Sequence, residues 1–370
     1  MLSHDIRYSA RLLRRSPGFA AGTILVLALG IGATTAIFSV VDRVLVRPLP
    51  YHDPARLVRV SEVIPKLRDL YPSIPVTARH VLAFRERARS FEGFAALEGL
   101  TMNLTGAAEP ERLGGAGVSW NFLRVLGVRP QLGRDFLEEE DHPGRDRVIL
   151  ISEDLWARRF RRDPHVLQRT VTLDGDPHAV IGVLPRSFDF ARNEQFHHLV
   201  RLGERVDFYK PIAFTDEQAA RQASWNYGVL ARLRPGVSAR AAAAELDVLL
   251  AELAKEFPEP IELRADVIPL QEAVVGGSRR ALLVLFAAVG AVLLVACVNV
   301  ANLLLVRGTV RQRETAVRSA LGAGTRRLVR QSLTESALLA IPGGLLGAGL
   351  AAAGLVSLVR LAPSDLPRLG

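Results

Sequence analysis

Three stretches of this chain run without a single charged residue: 19–41 over 23 residues, 281–306 over 26 and 336–359 over 24. A helix needs about 20 apolar residues to cross the hydrocarbon core of a bilayer. Each stretch therefore predicts a transmembrane helix, because a buried core helix of that length is rare and three in one chain would be rarer. The first stretch is too long for the apolar region of a cleaved signal peptide, and it ends in Ser39-Val40-Val41-Asp42 rather than in a small-residue cleavage site. It reads as an uncleaved anchor.

Between the first and second spans the pattern changes to short β-type runs alternating with amphipathic ones. Residues 57–60, 148–151, 179–183, 225–233 and 263–268 predict strands. Residues 77–89 predict a helix with Val81, Phe84 and Ala88 on one face, and 119–126 and 153–160 predict shorter helices. The clearest helix is 238–257. Ser238 caps it, Leu246, Leu249, Leu250, Leu253 and Phe257 recur at helical spacing, and Pro258 stops it. It lies between two strands as a β-α-β unit. Asp174-Gly175-Asp176 predicts a hairpin with a loop longer than the tightest turns, and 191–206, which has no clear period, predicts an exposed loop. The fold class is a membrane protein: three α-helical spans plus a mixed α+β extracytoplasmic domain.

The net charge of +9 is unevenly placed. Residues 1–18 carry +3 and residues 307–334 carry +6, the latter from seven Arg and Glu314, while 42–280 is neutral overall. A surplus confined to short segments beside membrane spans is the positive-inside pattern, and it excludes a nucleic-acid footprint. The short Arg-rich segment is expected in the cytoplasm, and with it the N-terminus. The boundaries expected are 1–18 cytoplasmic, 19–41 span, 42–280 extracytoplasmic, 281–306 span, 307–335 cytoplasmic, 336–359 span and 360–370 the start of an external segment. Cys297, the one cysteine, lies within the second span, so a core rather than disulfides must hold the external domain.

Catalytic patterns are missing. Only three Lys occur (Lys66, Lys210 and Lys255), none after a Gly, so no phosphate-binding loop of the Gly-Lys type exists. His197-His198 reads as a solvated pair rather than a metal site, and Glu138-Glu139-Glu140-Asp141 as a solvated acidic face. Asn103-Leu104-Thr105 fits a glycosylation sequon that arises often by chance. No enzyme, cofactor or metal is expected. In the spans, Gly18-Phe-Ala-Ala-Gly22 and Gly343-Gly-Leu-Leu-Gly347 permit close helix contact, and Asn299 and Asn302 are expected to face another helix.

Residues 311–321 form an amphipathic helix with Ala316, Val317, Ala320 and Leu321 on a small apolar face, and Gly322-Ala-Gly324 ends it. Such a helix either lies on anionic lipid headgroups or docks into a cytoplasmic partner.

Several motifs carry a resemblance. Residues 5–19 (DIRYSARLLRRSPGF), Leu27-Ala-Leu-Gly-Ile-Gly-Ala33 and Arg47-Pro-Leu-Pro-Tyr51 resemble the MacB/FtsX-like ABC transporter permeases, in the branch called duplicated orphan permeases. Gly127-Val-Arg-Pro130, Ile151-Ser-Glu-Asp-Leu-Trp156 and Val183-Leu-Pro-Arg-Ser-Phe188 resemble the family's periplasmic core domain, and 298–307 and 313–323 resemble its FtsX-like permease segment. The resemblance implies a porter-like part built from about 56–110 and 224–270, with an inserted middle part. It implies further a separate cytoplasmic ABC ATPase, a dimer of permease units in the inner (plasma) membrane in contact with lipid, and a role in export or efflux. The family's coupling helix maps onto 313–322, which assigns contact with the ATPase to Glu314, Val317, Arg318, Leu321 and Gly322. The family's permease unit has four spans and this chain has three, so a fragment or a truncated gene is expected. The competing reading is a membrane-anchored sensor or regulator of cell-envelope proteins that works without an ATPase.

Overall fold

In a computed structural model, residues 16–106, 109–188, 205–310 and 325–361 are described, together with a few single positions among 7–14 and 190–203. The chain divides into two units, Met1–Arg47 with Ser278–Gly370, and Pro48–Gly277.

In the first unit, helix α1 (Pro17–Val41) continues through one π-helical turn at Asp42–Val46. In the second, the elements are β1 (Leu57–Val63), β2 (Val76–Thr77), α2 (Ala78–Arg87), β3 (Phe91–Thr105), β4 (Glu111–Val118), α3 (Phe122–Leu126), β5 (Leu132–Gly133), β6 (Val148–Ile151), α4 (Glu153–Phe160), β7 (Thr170–Leu173), β8 (Asp176–Val183), β9 (Phe208–Pro211), α5 (Asp216–Ala220), β10 (Trp225–Leu233), α6 (Ala239–Leu253) and β11 (Arg264–Pro269). Two long helices follow, α7 (Leu270–Val310) and α8 (Thr325–Leu361).

The strands form one mixed sheet in the order β11-β1-β10-β3-β4-β9-β6-β8-β5, with β2 on β10 and β7 bridging β3 and β8. β1 lies antiparallel between β10 and β11, and β10 lies antiparallel between β1 and β3. β1-α2-β3 and β10-α6-β11 are thus two interleaved split β-α-β units, the ferredoxin-like arrangement, interrupted between β3 and β10. The first core packs Val60, Phe84, Phe94, Val229, Leu246 and Leu250 between these strands and the two helices. A second core, with Leu113, Ile149, Leu155, Val180 and Phe208, belongs to the insertion. The 15-residue β3 runs from one core into the other. The porter-like part with an inserted middle is therefore present as expected.

Local chemistry explains the helices. Ser238 accepts from the Ala241 amide at 3.2 Å, and the alanine-rich start of α6 has high helix propensity. Thr77 caps α2 through the His80 amide, and Ser152 caps α4 through the Leu155 amide.

Three expectations need correction. The 174–176 hairpin closes on two residues, Asp174 (φ 48°) and Gly175 (φ 91°), because Asp176 already pairs with Leu173. Both turn residues in left-handed space make the tight turn whose twist suits the strands, and Asp174 accepts from the amide and the side chain of Asn103 at 2.9 and 2.8 Å. The acidic run is a solvated face only in part, at the exposed Glu138 and Glu139. Glu140 is buried and accepts two bonds from the Arg134 guanidinium and one from the Leu137 amide. The Asp141 carboxylate receives the Trp120 and Ala213 amides, joining segments far apart in sequence. Within 191–206, described positions Val200, Leu202 and Val206 are buried, so this stretch is not simply an exposed loop. His197 and His198 lie outside the described residues.

Candidate functional site

Among the described residues three helices are long and apolar enough to cross a membrane: Pro17–Val46, Arg279–Val306 and Leu333–Gly354. Two of them pack closely. A Cβ added at Gly347 would sit 3.0 Å from the Ala28 carbonyl oxygen and 3.1 Å from the Ile31 Cβ, and one at Gly32 would sit 3.0 Å from the Gly347 carbonyl. Gly343 lies equally tight against Leu27. α1 and α8 therefore cross on glycine, the close approach that small residues allow in lipid. The expected Gly343/Gly347 motif makes this contact. Gly18 and Gly22 do not, having nothing within 4 Å; on α1 the contact with α8 falls to Gly32.

α7 is less covered. Leu293 and Ala296 meet α1 at Gly30, and Phe286 meets Phe38 with ring centroids 6.2 Å apart. Its apolar window is only 11% buried, against 28% and 22% for the other spans. Asn299 and Asn302 are both exposed on its outer side, so no helix described in this chain covers them. They share that side with Ala281, Val284, Ala288 and Val295, a seam of Ala and Val at spacings of three, four or seven.

Among the described residues no group of three or more His, Cys, Asp or Glu is placed to hold a metal ion. The five residues expected to couple to an ATPase, Glu314, Val317, Arg318, Leu321 and Gly322, lie outside the described residues.

A different polar cluster, not found from sequence, sits in the first core. Glu62 Oε1 lies 2.7 Å from His80 Nδ1, and Trp225 Nε1 donates to Glu62 Oε2 at 2.9 Å. The His80 Nε2 has no partner and is enclosed near Phe84 and Phe257. This cluster ties β1, α2 and β10 together from within. Where β3, β9 and β10 run past one another, burial raises the Glu98 carboxyl against the pull of Lys210, and burial with the Glu98 charge pushes the Tyr227 phenol up to about 12. Each group is thereby held in its protonated form over a wider pH range, an arrangement suited to packing rather than to nucleophilic chemistry.

Residues 20–249 match the MacB-like periplasmic core domain, and residues 286–364 match the FtsX-like permease C-terminal family. The chain belongs to the MacB/FtsX-like ABC transporter permeases. The macrolide export ATP-binding/permease protein MacB of Chromobacterium violaceum is 28% identical over 237 residues, 63% of this chain and 34% of that protein. MacB of Neisseria gonorrhoeae is 28% identical over 244 residues, 66% and 35% of the two chains. The ABC transporter permease YknZ of Bacillus subtilis is 24% identical over 257 residues, 67% and 59% of the two. The chain thus spans about a third of the length of the MacB proteins it matches. Among solved structures, the extracellular domain of YknZ from Gram-positive bacteria aligns with a TM-score of 0.41 and 16% identity, over 57% of this chain and 99% of that one. The periplasmic region of MacB from Actinobacillus actinomycetemcomitans aligns with a TM-score of 0.42 and 14% identity, over 58% and 89%. The larger of the two matched regions is thus a core domain of the MacB-like periplasmic kind.

Proposed function

We propose that this chain is the permease subunit of a MacB-type transporter, carrying ATP-driven movement from a cytoplasmic ATPase to an extracytoplasmic domain that exports a substrate. The observation that carries this reading is the pairing of a neutral domain of 42–280 with a short segment, 307–334, holding seven Arg. A positive segment of that length is retained in the cytoplasm, while a long domain is translocated largely regardless of its charge. The N-terminus is then cytoplasmic as well. No Gly-Lys motif occurs in residues 1–370, so the ATPase that drives the movement would lie outside them. Glu314, Val317, Arg318, Leu321 and Gly322 would meet that protein.

The outward seam of α7 supports pairing of two copies. An amide both donates and accepts, so Asn302 of one copy satisfies its counterpart across a twofold axis rather than facing lipid alone. Export as the task rests on similarity to macrolide export proteins that are about three times as long as the matched stretch.

Affinity capture of the full chain from native membranes tests the proposal. An ABC ATPase should co-purify in stoichiometric amount. Its absence, with an envelope enzyme captured instead, would favour a regulator that works without ATP.

A further inference from the structure

The transporter reading needs a rigid joint where movement of a span enters the sheet, and one buried arginine supplies a joint. Arg232 of β10 is only 5% exposed, and no carboxylate bonds to it. Its Nε donates to the Val125 carbonyl at 2.9 Å, and its two terminal nitrogens donate to the Asp53 and His52 carbonyls at 3.3 and 2.7 Å. Val125 stands in the last turn of α3, where carbonyls lack helical partners and carry the negative end of the helix dipole. His52 and Asp53 belong to the segment 48–56, which continues directly from Arg47 after α1.

The same segment is fastened at other points. Arg56 donates to Asp53, to Glu92 at 2.5 Å and to the Leu233 carbonyl at 3.0 Å. The His52 amide donates to Leu126, and Gly127 (φ 70°) passes so near that a Cβ there would lie 2.4 Å from the His52 Cβ. Leu49 is buried. An apolar side chain could fill the place of Arg232 without burying a charge, whereas only a planar fork of donors fixes three carbonyls on two segments at once.

We propose that Arg232 is a positioning residue, which locks 48–56 to β10 and α3 so that displacement at the end of α1 reaches the sheet undamped. This rests on the transporter reading for its purpose, though not for its test.

Spin labels on the full chain in lipid nanodiscs provide that test. With Cys297→Ser as background, one label pair at Pro50→Cys and Val248→Cys reports the joint, and a second at Leu67→Cys and Val248→Cys reports the sheet; Val248 and Leu67 are 62% and 41% exposed. In Arg232→Met and in the milder Arg232→Gln, the distance distribution of the first pair should about double in width, since charge-assisted bonds to three carbonyls are lost. The second pair should stay unchanged. An unchanged first pair, or broadening of both pairs together, would overturn the proposal. With a co-purified ATPase, trapping with ATP and vanadate should leave the first distance fixed in the parent and shift it in both variants, while hydrolysis persists. A nucleotide response in neither protein counts against the transporter reading instead, because the widths alone decide Arg232.

Discussion

His80 and Glu62 meet at 2.7 Å with neither side chain exposed to solvent, and Trp225 closes the cluster by donating to the second carboxylate oxygen. Removing one member of a buried polar pair leaves the others desolvated and unpaired. Glu62→Ala is therefore expected to destabilise the protein by about 3–5 kcal/mol. Trp225→Phe, which loses one bond and keeps the ring, should cost about 1–2 kcal/mol. Thermal unfolding of the detergent-solubilised chain gives both values. Equal costs would mean that Glu62 is not the hub.

Asp135 gives a pH signature. Burial pushes its carboxyl up to about 6 from 3.8, although the Phe136 amide and the positive charges of Arg124 and Arg134 pull it down. The folded chain then holds a proton that the unfolded chain has already released. The stabilising effect is complete below the unfolded value and fades as pH rises through about 4 to 6. Two pKa units correspond to about 3 kcal/mol, and partial solvent contact reduces this to about 1–2 kcal/mol. Asp135→Asn, which still accepts from Phe136, should raise stability by about 1 kcal/mol at neutral pH and flatten the melting profile across that window. A parallel, unflattened profile would show that other groups set the slope.

The two glycine motifs of the spans separate cleanly. Gly347→Val places a side chain against the Ala28 carbonyl and Ile31, so α1 and α8 must part, at about 1–3 kcal/mol. Gly22→Val meets nothing within 4 Å and should be neutral to packing within the chain. Thermal unfolding of the detergent-solubilised chain reads the difference. A lower midpoint only in Gly347→Val is the expected outcome, and equal midpoints in both variants would refute the glycine crossing.

Much of this fold was legible because its signals are local. The cap at Ser238 and the leucines of α6 lie within one helix, and β1, β6 and β8 announce themselves by β-branched runs. What stayed hidden depends on partners distant in sequence. Asp141 looked like part of a charged surface until the Ala213 amide was found against it, and Arg232 sits in a strand buried on both faces, where no two-residue period marks its role. An arginine inside an otherwise apolar strand was the one available signal. The outward side of Asn299 and Asn302 depends on how α7 is rotated against α1, which hydropathy does not encode. The expected contacts of 313–322 lie outside the described residues and remain a proposal.

Topology has a direct check. Ser187 is exposed and lies in the domain expected outside. In intact cells a membrane-impermeant thiol reagent should label Ser187→Cys in a Cys297→Ser background. Labelling that requires permeabilised cells would reverse the orientation drawn from the seven Arg of 307–334.

The coupling segment yields the sharpest test of the transporter reading. Glu314 and Arg318 are four residues apart, so on a helix they pair along one face as a mixed-charge rim. On such a helix Val317 and Leu321 would share the adjoining face with Ala316 and Ala320 as a small apolar knob, and Gly322 would let the chain turn back toward the membrane. A socket that accepts such a knob is dry, so Leu321→Asp would bury an unpaired carboxylate at a cost of several kcal/mol, enough to abolish binding. A helix resting on lipid headgroups would respond differently, since its hold comes from arginine charge, about 1 kcal/mol for each near the surface. Neutralising Arg326 and Arg327 together should then weaken membrane-surface contact and spare the ATPase. Pull-down of the ATPase from membranes carrying each variant separates the two cases. Binding lost with Leu321→Asp and kept with the Arg326/Arg327 pair places the knob in the ATPase, and binding kept with Leu321→Asp rules the docking out.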